Sequence, residues 1–205
     1  MHDFTALRRR MIEEQLQARG LDNPRVLDAV MAVPREHFVP EELVEFAYED
    51  TPLPIAAGQT ISQPYIVALM ASALDLHPDD RVLEVGTGSG YAAAVLSRLA
   101  RRVYTIERHE ALADAARRVL ERLGLDNVEV RHGDGTRGWP EQAPFQAIVV
   151  AAGSPADIPA PLREQLAIGG RLVIPAGGED VQKLWRLIRT SHDDFQQPFR
   201  TSCRS

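Results

Sequence analysis

Beyond His77 the chain alternates short apolar runs with longer amphipathic stretches, and this alternation is what most restricts its fold. Runs too apolar to leave a face in water suit strands buried on both sides, and helices with one apolar stripe are what cover them. Strands are expected at residues 82–85, 103–106, 128–131, 147–150, 172–174 and 184–188. Between them Val95, Leu96 and Leu99 mark one helix face, while Leu112, Ala115, Ala116, Val119 and Leu123 mark a second that Gly124 stops. The expectation is an α/β fold: a doubly wound, mainly parallel sheet.

The first third reads differently. Leu7, Met11 and Ile12 recur at helical spacing, and Asn23 with Pro24 is the start signal of a second helix carrying Val26, Leu27, Val30 and Met31. Residues 35–62 are rich in Pro, Gly and Glu with little periodicity, so a long loop-like connection is expected, and such a loop is often functional. Pro64 can open a helix whose broad apolar face, Ile66, Val67, Leu69, Met70 and Leu74, belongs against a sheet.

The 205 residues suit one domain. Residues 1–76 form a helical extension with a substrate loop, 77–191 the α/β core, and 192–205 a short tail. The net charge of -6 is spread along the chain without a Lys/Arg run, which argues against nucleic acid. No apolar stretch approaches the roughly 18 residues of a membrane span, and the first residues have no apolar leader segment, so a cytoplasmic protein is expected. Cys203 stands alone, which excludes an internal disulfide and a multi-cysteine metal site. Neither the six histidines nor any other residues show metal-ligand spacing, and Trp139 and Trp185 read as packing residues.

The sharpest local signal is Val82-Leu83-Glu84-Val85-Gly86-Thr87-Gly88-Ser89-Gly90, a buried strand running into a glycine-rich turn before a helix. Such a turn lets a ligand approach the backbone at the C-terminal edge of the sheet. Position 91 is Tyr, so the third glycine of a dinucleotide fingerprint is missing and NAD is not expected. Glu107, at the end of the next strand, can accept two ribose hydroxyls or simply favour a helix N-terminus. Gly133-Asp134-Gly135 follows the third strand, where Asp134 can receive an adenine amino group.

Glu84 followed by Gly86, Gly88 and Gly90 resembles motif I of class I S-adenosylmethionine methyltransferases, a Rossmann-like fold. That cofactor carries sulfonium and ammonium groups, which an acid beside the turn suits better than a diphosphate. The stretch Ala57-Gly58-Gln59-Thr60-Ile61-Ser62-Gln63-Pro64-Tyr65, with Val33-Pro34-Arg35-Glu36 and Phe38-Val39-Pro40, is similar to the protein-L-isoaspartate O-methyltransferase family. Gly138-Trp139-Pro140-Glu141, Ala143-Pro144-Phe145, Gln165-Leu166 and Gly169-Gly170-Arg171 continue the likeness over roughly residues 8 to 190.

The resemblance implies methyl transfer from S-adenosylmethionine to the α-carboxylate of L-isoaspartyl residues in damaged proteins and peptides, by an enzyme expected to be a monomer. It implies Ser62 as the active-site residue, with Gln59, Thr60 and Tyr65 bordering the cofactor. Glu84, Gly86, Gly88 and Gly90 would line its methionine part, Glu107 its ribose, and Asp134 with Gly135 its adenine.

Two departures stand out. Gln146 occupies a position where the family usually has Asp, which affects local packing or capping. Residues 192–205 lack the family's usual final pattern, so this end is expected to be poorly ordered or to pair incompletely, leaving an exposed edge. The atypical tail keeps open a catalytically impaired cofactor-binding homologue, and a related methyltransferase with another acceptor is the other alternative.

Overall fold

The computed structural model describes residues 3–151, 158–176 and 182–203. Helix α1 (Phe4–Met11) buries Met11 and continues through a wider turn, Ile12–Leu16, that buries Ile12 and Leu16. Helix α2 (Pro24–Ala32) starts where the sequence indicates, with the Asn23 side chain accepting the amides of Arg25 and Val26 at 3.1 and 3.4 Å.

The stretch expected to be loop-like has more structure than its composition suggests. It contains 3-10 turns at Arg35–Phe38 and Glu41–Phe46, then a small hairpin of β1 (Leu53–Pro54) and β2 (Thr60–Ile61). Elements of two to six residues leave no periodicity to read. At the hairpin tip Ala57 has φ 58° and Gly58 φ 66°, so a non-glycine residue takes the left-handed conformation. Helix α3 (Pro64–Leu74) follows, its N-cap position taken by Gln63 and not by Ser62.

The core alternates as expected: β3 (Arg81–Val85), α4 (Tyr91–Ser97), β4 (Arg102–Glu107), α5 (Glu110–Arg122), β5 (Val128–His132) and β6 (Phe145–Val150). Then come α6 (Ala160–Glu164), β7 (Leu166–Ala176), β8 (Gln182–Arg189) and β9 (Phe195–Cys203). The main sheet has the order β5-β4-β3-β6-β7-β8-β9. The first five strands in that order pair in parallel, and β8 and β9 add an antiparallel meander. The chain reverses its direction of travel across the sheet between β3 and β6, and the crevice at such a switch point is where α/β folds bind ligands.

Both faces of the parallel strands are covered. Val82, Val103, Ala147 and Val149 pack beneath α2, α3 and α4, while Leu83, Tyr104, Ile106 and Ile148 pack with Trp139, Phe145 and Leu162 on the other side. Trp139 meets Tyr104 edge-on with ring centroids 5.6 Å apart. Gln146 ties neighbouring strands together, since its Oε1 accepts the amide of Arg81, the first residue of β3, at 2.9 Å.

The tail pairs more fully than expected, although its strand still ends the sheet. Residues Phe195–Cys203 form a nine-residue strand that pairs antiparallel with β8 from Gln182↔Cys203 to Arg189↔Phe195, with one irregularity. An edge strand has a single partner and needs no continuous apolar run, so its polar residues do not announce it. The Arg189 guanidinium anchors the connection, donating to the carbonyls of Leu166, Glu164 and His192 at 2.6 to 2.9 Å.

Candidate active site

A cavity of about 510 Å³ opens at the C-terminal ends of β3, β4 and β6. The hairpin and its exit contribute Gln59, Thr60, Ile61 and Ser62, and the turn after β3 contributes Gly86, Thr87, Gly88 and Ser89. Glu107 and Arg108 come from the end of β4, and Asp134, Gly135 and Thr136 from the loop after β5. Three consecutive βα turns therefore meet the segment 59–62 around one space.

The turn after β3 needs its glycines: Gly86, Gly88 and Gly90 have φ of 99°, 53° and 89°, which side chains rarely adopt. Glu107 is buried yet well partnered. Its Oε2 accepts the Gly88 amide at 2.9 Å and its Oε1 the His109 amide at 3.0 Å, which fixes the carboxylate against the turn. A carboxylate offers about four acceptor positions, so two remain for hydroxyl groups. Asp134 is exposed, and the Thr136 hydroxyl and amide donate to its Oδ1 at 2.7 and 3.0 Å. Those bonds hold its pKa below the ordinary carboxylate value. Gly135 lets this loop close on β3, since a Cβ there would lie 2.5 Å from Cγ1 of Val85.

Three residues expected at the site do not line the cavity. Tyr65 faces the helical extension: Arg19 lies over its ring at 3.4 Å from the centroid, and its amide donates to Asp50 at 3.0 Å. Gly90 faces α5, where a Cβ would come within 3.2 Å of the Ala116 Cβ. Glu84 is fully buried below the turn, side by side with Thr105 of β4, because an even position on β3 points into the helix-covered face.

Its Oε2 accepts from the Thr105 hydroxyl at 2.5 Å, and Thr105 lies 2.6 Å from the Thr87 hydroxyl. In that pair of hydroxyls either oxygen can be the donor. Burial pushes the Glu84 carboxyl up to about 8, with the Glu107 charge adding to the effect and the Thr105 bond opposing it. Glu84 thus anchors the turn from below as a neutral acid at pH 7, not as an anion facing the cavity.

Ser62 lines the cavity, and its hydroxyl has no hydrogen bond among the described residues, so it is available to a ligand. Its carbonyl turns away and accepts from the Arg35 guanidinium at 2.9 Å. Sequence reasoning passed over Thr87, Ser89, Tyr91, Arg108 and Thr136. Tyr91 entered it only as a missing glycine, although its place at the mouth of α4, one residue beyond the turn, is the signal that could have found it. Among the described residues no cluster of three or more His, Cys, Asp or Glu side chains could hold a metal ion.

The chain matches a known family over nearly its whole length. The family model for protein-L-isoaspartate(D-aspartate) O-methyltransferase covers residues 7–204. Protein-L-isoaspartate O-methyltransferase 2 of Pelobacter propionicus is 60% identical over 187 residues, 91% of this chain and 83% of the relative. Protein-L-isoaspartate O-methyltransferase 1 of Rhodopseudomonas palustris is 59% identical over 194 residues, 94% of this chain and 79% of its own. A Plasmodium falciparum protein described as a protein-L-isoaspartate O-methyltransferase, solved with S-adenosyl-L-homocysteine, superposes with a TM-score of 0.78 at 26% identity, covering 100% of this chain and 97% of that one. Another solved protein-L-isoaspartate O-methyltransferase gives a TM-score of 0.82 at 30% identity, over 95% of this chain and 64% of that one. From helix α1 to the final edge strand, the chain belongs to the protein-L-isoaspartate(D-aspartate) O-methyltransferase family.

Proposed function

We propose that this chain transfers a methyl group from S-adenosylmethionine to the free α-carboxylate of L-isoaspartyl residues in damaged proteins and peptides. The observation that carries this reading is the shared cavity in which Ser62 and its segment face the glycine turn, Glu107 and Asp134. Family membership supports it.

The residues present fit the cofactor. Glu107 would receive the ribose hydroxyls on its two remaining acceptor positions, and Asp134 the adenine amino group on an exposed carboxylate. The backbone of residues 86–89 would follow the methionine part, and Gln59 and Thr60 would close over it. When bound, S-adenosylmethionine supplies a methyl group on a positively charged sulfur. Replacing Glu107 by alanine is expected to weaken S-adenosylhomocysteine binding by about 1.5 to 3 kcal/mol, the range for hydrogen bonds to a charged group. Calorimetry giving an unchanged dissociation constant would remove Glu107 from the ribose site.

The acceptor needs no general base, because a carboxylate is already ionised at neutral pH. The protein's part is to orient it, for which Ser62 donates one hydrogen bond, and to hold it out of water. A direct test uses an isoaspartyl peptide and its aspartyl twin: the first should gain a methyl ester and later release methanol, the second should stay at background. Equal methylation of the two, or of neither, would overturn the reading. The tail that left room for an impaired homologue pairs with β8 as a strand, which supports the reading of an intact fold.

We further read the enzyme as a cytoplasmic monomer. Among the described residues only Phe46 and Ile168 are large exposed hydrophobics, which supports a chain without an obligate partner. No helix of the described residues is long and apolar enough to cross a membrane.

A further inference from the structure

Arg35 is the largest wholly buried side chain among the described residues, at 0% exposure. Its Nε donates to the Ala47 carbonyl at 2.8 Å and its Nη2 to the Ser62 carbonyl at 2.9 Å, while its Nη1 is buried without a partner among the described residues. The guanidinium lies 4.7 Å from the centroid of the Tyr91 ring. None of the ion pairs among the described residues includes it. Of the other buried arginines, Arg171 meets the Asp80 carboxylate at 2.6 Å and Arg189 spreads its donors over backbone carbonyls. Asp50 acts on Arg35 at longer range but is itself engaged by Arg19 at 2.6 Å and by the Tyr65 amide.

Two carbonyls can be held by a neutral donor, and burying a cation without a counter-charge is costly. The Arg35 charge faces two carbonyl dipoles and the Tyr91 side chain, with no carboxylate among the described residues in contact. The two groups that separate it from the cavity are Ser62 and Tyr91, both of which line that cavity. An arginine in direct contact with an attacking carboxylate oxygen would share its electrons and blunt it. One residue behind the wall, the same charge attracts the anion without bonding to the reacting atom.

We propose that Arg35 is a positioning residue for methyl transfer: it fixes the Ser62 peptide from behind and gives the acceptor half of the cavity the positive field that seats a carboxylate. The inference rests on the function proposed above. It also accounts for the pairing of Arg35 with Phe38 on one 3-10 turn, since Phe38 packs edge-on against Tyr91 at 5.6 Å and holds the same wall.

The test compares an isoaspartyl peptide with the matched peptide whose α-carboxylate is an amide, the second measured as a competitive inhibitor. The wild-type protein should prefer the carboxylate by about tenfold or more, a factor of ten being about 1.4 kcal/mol. Arg35→Met should lose about tenfold of that preference, through a raised KM, with S-adenosylhomocysteine affinity within about twofold of wild type. Arg35→Lys, which keeps the charge but not the fork, should retain the preference and lower kcat about tenfold.

An unchanged preference in Arg35→Met, with only a lower melting temperature, would reduce Arg35 to a structural clamp and overturn the proposal. Should that variant fail to fold, the wild-type protein decides. A buried charge is little screened, so the preference should persist between about 0.05 and 0.5 M salt, and a preference that salt abolishes would assign it to exposed charges instead. Absence of turnover by the wild-type protein with the isoaspartyl peptide would overturn both this proposal and the function beneath it, whereas turnover with unaltered selectivity in Arg35→Met sinks this proposal alone.

Discussion

Replacing Glu84 by glutamine is expected to make the stability of the protein far less sensitive to alkali, with a relative gain of several kcal/mol by pH 8. The carboxyl is buried under the glycine turn with one oxygen unpartnered, and its pKa rises from 4.5 to about 8. In the unfolded chain it ionises near 4.5, while the folded protein retains its proton until about pH 8. Between those values the folded state binds more protons, so stability falls as pH rises. The contribution is fully present below about pH 4.5 and is lost through the folded value near 8.

Glutamine has no proton to lose and stays neutral throughout. Each pH unit in the window shifts the difference between the two proteins by about 1.36 kcal/mol, which sets a ceiling of about 5 kcal/mol. Urea unfolding at pH 5, 6.5 and 8 measures that difference directly. A constant offset between variant and wild type across the three would mean that Glu84 titrates normally and lies in a wetter place than its surroundings suggest.

The second large effect concerns the reaction. Ser62→Ala is expected to lower kcat roughly 10- to 100-fold, about 1.4 to 2.7 kcal/mol of transition-state stabilisation, with cofactor affinity little changed. The hydroxyl has no hydrogen bond to any described residue, so its removal leaves no orphaned partner and little cost in stability. Nor is it the cap of α3, whose N-cap position belongs to Gln63. What would be lost is the neutral donor proposed to orient the acceptor, and alignment of two reactants is a large part of the barrier in a displacement. Single-turnover rates with an isoaspartyl peptide, beside calorimetry with S-adenosylhomocysteine, separate the two. Full activity, or a methylated serine found by mass spectrometry, would exclude the orienting role.

The elements legible in the sequence are those in which a local pattern and the final environment agree. Strands β3, β4 and β6 are apolar because both of their faces are covered, and the start of α2 is written in Asn23 and Pro24. The turn at residues 86–90 could be read because its three positive φ values are ones that favour glycine. Orientation at single positions was less accessible. Tyr65 sits next to the segment that lines the cavity, but the first turn of α3 points its ring outward to Arg19, a residue 46 positions away in a different helix-turn. Glu84 carries a charge in sequence and a buried place in the sheet, and only the pairing with Thr105 reveals that the environment overrides the formal charge. Arg35 could be read as part of a family-like stretch but not for its place, because both its carbonyl partners, at Ala47 and Ser62, are backbone groups whose identity no side chain records.

The sheet order has a consequence for how such a protein can change over generations. The turns proposed to hold the donor all hang from β3, β4 and β5, whose strand pairing is complete without the hairpin of residues 53–61. The wall proposed to face the acceptor, by contrast, arrives from a stretch that precedes the sheet in the chain and meets the turn and α4 through Arg35, Phe38 and Ile55. Substitutions that reshape that stretch need not disturb the strand register, so over generations one wall of such a cavity can vary while the turns opposite it keep their shape.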